Sequence, residues 1–229
     1  MVLKEVAIPS KITEDLAYIC GVLVGDGHIS YRERKKTMVI KIVGNPKDEK
    51  EFYWEVIGPK FQELFDVSLK IKYHDSKTTF GFTFFSKTIG KYLTEFIKLP
   101  EGRKYESLRV PEIFAKNKNF LIEFIRGVFD TDGCITFKKR YKDYPYYPVI
   151  SLYSRSDLFI KDISRILKNL GFRIVESYNM IKSDNRVKNV YTIISCIEMN
   201  GRSNLDLWLE KIGFYSPKHL EKIKKYYSI

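Results

Sequence analysis

The sequence predicts an α+β fold in which one structural unit is used twice. Three observations carry this. Two apolar stretches, Ile19-Cys20-Gly21-Val22-Leu23-Val24-Gly25-Asp26-Gly27 and Ile125-Arg126-Gly127-Val128-Phe129-Asp130-Thr131-Asp132-Gly133, share a glycine at the third position and Asp-Gly at the end. They stand nearly half a chain length apart. The same succession of hairpins and helices follows each of them, a pattern of antiparallel pairs rather than a βαβ alternation.

Taken in order, the first half reads as an apolar helix over 16–25, a strand over 29–31, a charged turn over 32–36 and a second strand over 38–43. A helix over 47–65 follows, then strands over 68–73 and 79–85, then a short helix over 86–97. The second half repeats this with a helix over 120–131, strands over 135–137 and 149–153, and a helix over 156–170. In that last helix Phe159, Ile160, Ile163, Ile166, Leu167 and Leu170 recur at helical spacing, with Gly171 as its C-terminal cap. Strands over 172–178 and 190–196 and a helix over 204–212 complete the unit, and a basic helix over 217–227 ends the pattern. Pro100, Gly102 and Pro111 mark the connection between halves. The expected organisation is a first repeat over 1–104, a linker over 105–118 and a second repeat over 119–229.

The bulk chemistry narrows the function classes. Among 229 residues, 40 Lys and Arg stand against 28 Asp and Glu, a net charge of +12 that attracts polyanions. No apolar run approaches the roughly 18 residues of a spanning helix, and the N-terminus lacks the core of a signal peptide. Cys20, Cys134 and Cys196 are scattered and form no CxxC pair, which argues against a disulfide framework and a zinc site. Cys20 and Cys134 lie inside or beside apolar helical runs and are expected to be buried thiols. The expectation is a protein without membrane attachment in a reducing, intracellular compartment: cytoplasmic, or organellar if the source is eukaryotic.

The paired Asp-Gly helix ends point to chemistry. A mid-helix glycine costs about 0.5–1 kcal/mol relative to alanine. Gly21 and Gly127 carry this cost at equivalent places, which suggests that the two helices touch backbone to backbone there, with Gly25 extending the small surface. Asp26 and Asp132 then fall at helix C-termini, where the macrodipole disfavours a carboxylate by about 0.3–1 kcal/mol. One Asp-Gly is ordinary turn chemistry. Two in register, brought together by packed helices, are like charges that need a cation between them, and a hard divalent ion prefers such oxygens.

At these residues the sequence resembles the LAGLIDADG homing endonucleases in their single-chain, two-motif form, and the resemblance runs along essentially the whole chain. The eighth motif position, the family's catalytic acid, maps onto Asp26 and Asp132. The second motif agrees at Gly127, Asp130, Asp132 and Gly133; the first departs with Val24 at the sixth position and Gly25 at the seventh. The resemblance implies two αββαββα units whose motif helices form the central interface, each with a curved four-stranded antiparallel sheet, together making a saddle over DNA. It implies Mg²⁺-dependent hydrolysis of both strands with a staggered cut, Mn²⁺ or Ca²⁺ substituting in binding. The candidate metal set is Asp26, Asp132 and their preceding residues Gly25 and Thr131. A basic residue is implied near the site in each half, and Lys104 and Lys218 are the candidates. Lys41, Asn45 and Ser154 are further possibilities at the strand ends.

Alternation along the strands assigns a DNA-facing set: Ser30, Arg32, Arg34, Lys35, Lys70, Lys72 and Thr83 in the first half, and Thr136, Lys138, Arg140, Ser151, Arg173 and Tyr191 in the second. Lys36, Lys139 and Lys142 extend the hairpin tips, and Tyr141, Tyr144, Tyr146 and Tyr147 cluster in one loop. The halves differ at nearly every outward position, so an asymmetric double-stranded target and a monomeric protein are expected. Three other readings stand beside this one. The first is an intron-RNA maturase or non-cleaving regulator on the same fold. The second is the endonuclease part of an intein, less favoured because the sequence opens on Met1 and lacks a terminal His-Asn pair. The third is a structural RNA-binding protein, which makes the twin motifs a coincidence.

Overall fold

The computed structural model describes residues 6–104, 107–139, 146–183 and 191–228. In chain order its elements are α1 (Glu14–Gly25), β1 (Gly27–Arg32), β2 (Thr37–Gly44) and α2 (Lys50–Phe52), which passes through a π-helical turn, Tyr53–Ile57, into α3 (Gly58–Phe65). Next come β3 (Lys72–His74), β4 (Thr79–Phe85) and α4 (Lys87–Lys91), the last extended by a π turn over Tyr92–Phe96. The short α5 (Glu112–Ala115) leads to α6 (Lys118–Thr131), β5 (Gly133–Lys138), β6 (Tyr147–Ser154), α7 (Asp157–Asn169), β7 (Ile174–Ser183), β8 (Tyr191–Asn200), α8 (Arg202–Lys211) and α9 (Pro217–Tyr227).

The strands form two antiparallel four-stranded sheets with the same order, β1-β2-β4-β3 and β5-β6-β8-β7. Register separates their faces. Ile42 pairs with Gly27 and Phe82, and Ile150 pairs with Ile135 and Met199, in rows that turn inward to the helices. The adjacent rows, His28-Lys41-Thr83 and Cys134-Ser151-Glu198, turn outward. Each motif helix begins on a side-chain cap. Thr13 Oγ1 accepts the Leu16 N–H at 3.1 Å, and Asn117 Oδ1 accepts that of Asn119 at 2.8 Å. Aromatic side chains fill both halves: Phe52, Phe61, Phe65 and Phe82 in one, and Phe129 and Trp208 with rings 4.5 Å apart in the other.

Several elements differ from the sequence expectation. The strand expected over 68–73 shrinks to Lys72–His74, because the Leu69 N–H bonds to the Gln62 side chain at 2.9 Å instead of joining a ladder. The expected strands over 172–178 and 190–196 are instead ten residues each and form a long hairpin, with a bulge between Ser177 and Met180. The expected linker is pinned down. Arg109 forks onto Asp162 of α7 at 2.6 and 2.9 Å, the Leu108 carbonyl accepts from Ser156 Oγ at 3.0 Å, and Leu108 and Phe114 are buried. Cys20 and Cys196 are buried, but Cys134 is only half-buried because it lies on the outward row of β5.

Candidate active site

Helices α1 and α6 meet where both sequences are smallest. A methyl group on Gly21 would stand 2.1 Å from the Phe124 carbonyl oxygen, and one on Gly127 would stand 2.2 Å from that of Tyr18. No side chain fits at either place without forcing the helices apart. One turn further on, a methyl on Gly25 would stand 2.0 Å from Thr131 Oγ1 and 3.4 Å from the carboxyl carbon of Asp132. The crossing therefore brings both helix ends together, and Asp26 and Asp132 are the C-caps of those ends.

Charge is concentrated here. Burial, and next the charges of Glu49 and Asp132, push the Asp26 carboxyl up to about 7, against a 3.0 Å hydrogen bond from Tyr53 Oη that favours its ionised form. Burial also raises the pKa of Asp132, and the charge of Glu49 adds to this, with Lys104 and then Lys218 pulling the other way. This carboxyl is ringed by protein yet open to solvent, because it lies at the floor of a cavity of about 580 Å³ lined by His28, Arg103, Lys104, Ser154 and Arg155 among others.

The two lysines are held in different ways. Lys104 Nζ donates to the last carbonyls of α1, those of Leu23 (3.0 Å), Val24 (2.8 Å) and Gly25 (2.9 Å). These are acceptors that a helix end leaves without internal partners. Burial lowers its pKa to about 8, while the two aspartates act to raise it. Lys218, on α9 of the second half, ion-pairs with Glu49 of the first, Nζ to Oε1 at 2.5 Å. The second oxygen of Glu49 accepts the Asn45 N–H at 2.6 Å.

Asp130 holds the approach to Lys218. It is fully buried, burial pushes its carboxyl up to about 7, and it accepts from Tyr18 Oη at 2.8 Å and from the N–H groups of Tyr215 and Ser216, each at 3.1 Å. Sequence reasoning passed over Glu49, Tyr53, Asp130 and Tyr18 as site residues. Glu49 and Tyr53 are four residues apart, which places them on one helical face, but only the sheet order brings that face to Asp26.

The expected metal set is modified. The Gly25 carbonyl is already engaged by Lys104, and the Thr131 hydroxyl turns back to the carbonyls of Gly127 and Val128 at 2.9 and 3.1 Å. Asp26 and Asp132 remain as a hard-oxygen pair that fits a divalent cation. Among the described residues, no group of three or more His, Cys, Asp or Glu side chains could hold a metal. An ion bound here would therefore draw other oxygens from water or substrate.

On the outward faces, Ser30, Arg32, Thr83, Thr136 and Lys138 occupy outward rows, with Lys138 Nζ 3.8 Å from Glu198. Arg34 and Lys35 lie in the β1–β2 turn, with the Lys35 ammonium 4.8 Å from the Phe85 ring centroid. Lys72 is exposed on β3, and Lys70 is exposed but precedes the strand. Arg173 is exposed just before β7, its backbone fixed by Asn204. Ser151 faces outward yet is only 6% exposed, since its neighbours close over it. Tyr191 shares the parity of the buried Ile197 and Met199, so it lies on the helix side of β8 rather than the outward side, and it is exposed there. Arg140 falls outside the described residues. Lys41 is paired with Asp75 at 2.8 Å, and Ser154 Oγ accepts the Ser156 N–H at 3.1 Å.

Comparison with known proteins adds two kinds of relative. A stretch of 224 residues, 96% of this chain, is 26% identical to part of a glutamine–fructose-6-phosphate aminotransferase of Methanocaldococcus jannaschii. A stretch of 213 residues, 93% of the chain, is 29% identical to part of a probable translation initiation factor IF-2 of Thermococcus kodakarensis. The matches span 18% and 15% of those proteins, so this chain corresponds to less than a fifth of either. The crystal structure of I-DmoI in complex with DNA and Ca superposes with a TM-score of 0.63 at 18% identity, covering 93% of this chain and 97% of that one. Other structures of that homing endonuclease hold DNA with Mn or Mg. Residues 119–213 match the family described as LAGLIDADG-like domain. The second half of the chain thus matches the LAGLIDADG-like domain, and over most of its length the chain has the fold of the homing endonuclease I-DmoI.

Proposed function

We propose that this protein is a divalent-metal-dependent endonuclease that cuts both strands of a long, asymmetric double-stranded DNA site and leaves a staggered break. The observation that carries the reading is the pairing of Asp26 and Asp132 at the ends of two helices packed glycine to glycine. The pairing is electrostatically unfavourable without a cation, and each aspartate has a lysine close enough to bear on its charge. A bound Mg²⁺ supplies neutralisation of phosphate charge and a more acidic bound water. The chain's own residues do the rest. The aspartates offer ionised oxygens, and Lys104, with a pKa near 8, gives or takes a proton at Nζ close to neutrality. The basic, outward-facing rows of the two sheets bear on phosphates and base edges. Both aspartates come from one chain, so a single copy forms the site and the active species is a monomer.

The embedded relatives favour a mobile module. An aminotransferase and an initiation factor share no chemistry, yet each carries a stretch of about this length and of similar sequence. Insertion of one module into unrelated host genes leaves that trace, and an enzyme that cuts the uninterrupted gene supplies the means. The test is Mg²⁺-dependent cleavage of a pooled, randomised duplex library by wild type and by the Asp26→Asn/Asp132→Asn double variant. Recovery of an asymmetric site cut only by wild type supports the reading. Equal cutting by the double variant places the chemistry elsewhere, and enrichment of one duplex without cutting makes the protein a binder.

A further inference from the structure

The two aspartates share a helix crossing but not an environment. Lys104, beside Asp132, spends all three ammonium hydrogens on the carbonyls of Leu23, Val24 and Gly25. It has no hydrogen left for a phosphate until it moves. Lys218 spends one hydrogen on Glu49 and keeps the others.

Glu49 is itself closely held. It is 6% exposed, with one oxygen on Lys218 and the other on the Asn45 N–H. It stands at the end of β2, where a methyl on Gly44 would lie 2.1 Å from Glu49 Oε2, 3.0 Å from Asp26 Oδ2 and 3.0 Å from Tyr53 Oη. Three polar side chains converge on the one residue that has none. Glu49 does not complete a three-carboxylate metal site, so its use lies in what it holds. In the second half, the corresponding place before α7 is taken by Ser156, whose hydroxyl caps that helix and bonds to Leu108. The charged anchor exists on one side only.

We propose that Glu49 is a positioning residue that acts through Lys218. It sets this lysine beside Asp26 with free hydrogens directed at the scissile phosphate, and it thereby makes the two strand-cutting halves of the site unequal. The inference rests on the endonuclease reading above. Removing one partner of a buried ion pair leaves the other uncompensated and free to reorient. Loss of Glu49 therefore strikes the strand served by Lys218 and spares the strand served by Lys104.

The experiment follows the two strands separately, with a different label on each, using the duplex recovered from the library. It compares wild type, Glu49→Gln and Glu49→Asp under single-turnover conditions, with binding measured in Ca²⁺. Glu49→Gln is expected to slow one strand at least tenfold and the other less than twofold, so that nicked duplex accumulates while binding stays within threefold. Glu49→Asp, which keeps the charge at a shorter reach, is expected to fall between on the same strand. Either variant alone suffices if the other does not fold. Equal slowing of both strands, or of neither, overturns the proposal. If wild type cuts no duplex, the endonuclease reading fails first and this inference falls with it; if wild type cuts and the variants show no strand difference, only the role of Glu49 falls.

Discussion

Tyr18 and Asp130 join the two halves through one hydrogen bond, the Tyr18 hydroxyl donating to Oδ2 at 2.8 Å between residues 112 positions apart. The same carboxyl receives the N–H groups of Tyr215 and Ser216, so it ties the helix crossing to the turn before Lys218. Tyr18→Phe removes one charge-assisted bond and is expected to cost about 1.5–3 kcal/mol. Asp130→Ala strands several buried donors and is expected to cost more, about 3–5 kcal/mol. Urea denaturation measures both. A smaller loss for the alanine than for the phenylalanine variant would contradict this role.

The helix crossing admits no side chain at Gly21 or Gly127. Either alanine substitution gains up to about 1 kcal/mol in helix propensity but meets backbone at 2.1 or 2.2 Å. A net destabilisation of about 1–3 kcal/mol is expected, with weakened cleavage because the aspartates move apart. Gly102 has open space around it and serves as the site for a control substitution, although its positive φ of 72° adds local strain.

Lys104→Met keeps the aliphatic stem and removes the ammonium. Loss of a positioned proton carrier predicts a fall in the cleavage rate of about a hundredfold, with DNA affinity in Ca²⁺ nearly unchanged. Lys104→Arg is expected to restore little, because a planar, permanently charged group neither converges on three carbonyls from one nitrogen nor releases a proton near neutrality. Full activity in the arginine variant would sink the proton-transfer role.

The pH dependence of folding follows from Asp26. Its folded pKa of about 7 lies above the ordinary carboxyl value near 4. A group raised in the folded state favours folding while protonated and loses that contribution as pH rises through its folded value. Without divalent metal, the melting temperature of Asp26→Asn is therefore expected to gain on wild type between about pH 4 and pH 7, then to level off. Added Mg²⁺ at pH 7.5 is expected to raise the wild-type value more than that of the variant. A constant difference across the range would contradict the burial of this carboxyl.

The sequence carries the repeat clearly because its signals are local. The Gly and Asp positions of the two motifs, the Gly171 cap, and the apolar spacing of α7 each act within a few residues. Positions fixed by long-range contacts were less legible. The expected strand over 68–73 failed because Gln62 satisfies Leu69 from a neighbouring helix. The face of Tyr191 follows from the pairing of β8 with β6 at Ile197 and Met199, several residues away, which the local sequence does not reveal. Glu49 is one of several charges near the start of the helix expected over 47–65. Its partner is 169 residues away, and nothing near it in sequence announces that contact.

That separation has a bearing on how the protein comes into being. The clasp between Glu49 and Lys218 forms only after nearly all of the described chain has been synthesised. A nascent chain that has produced Asp26, Asp132 and Lys104 still lacks the lysine on α9. In the proposed enzyme, competence to break DNA on both strands would arrive late in synthesis, and a prematurely terminated product would be a poor cutter. In that enzyme the long reach of one ion pair would hold back double-strand cutting until the chain is nearly complete.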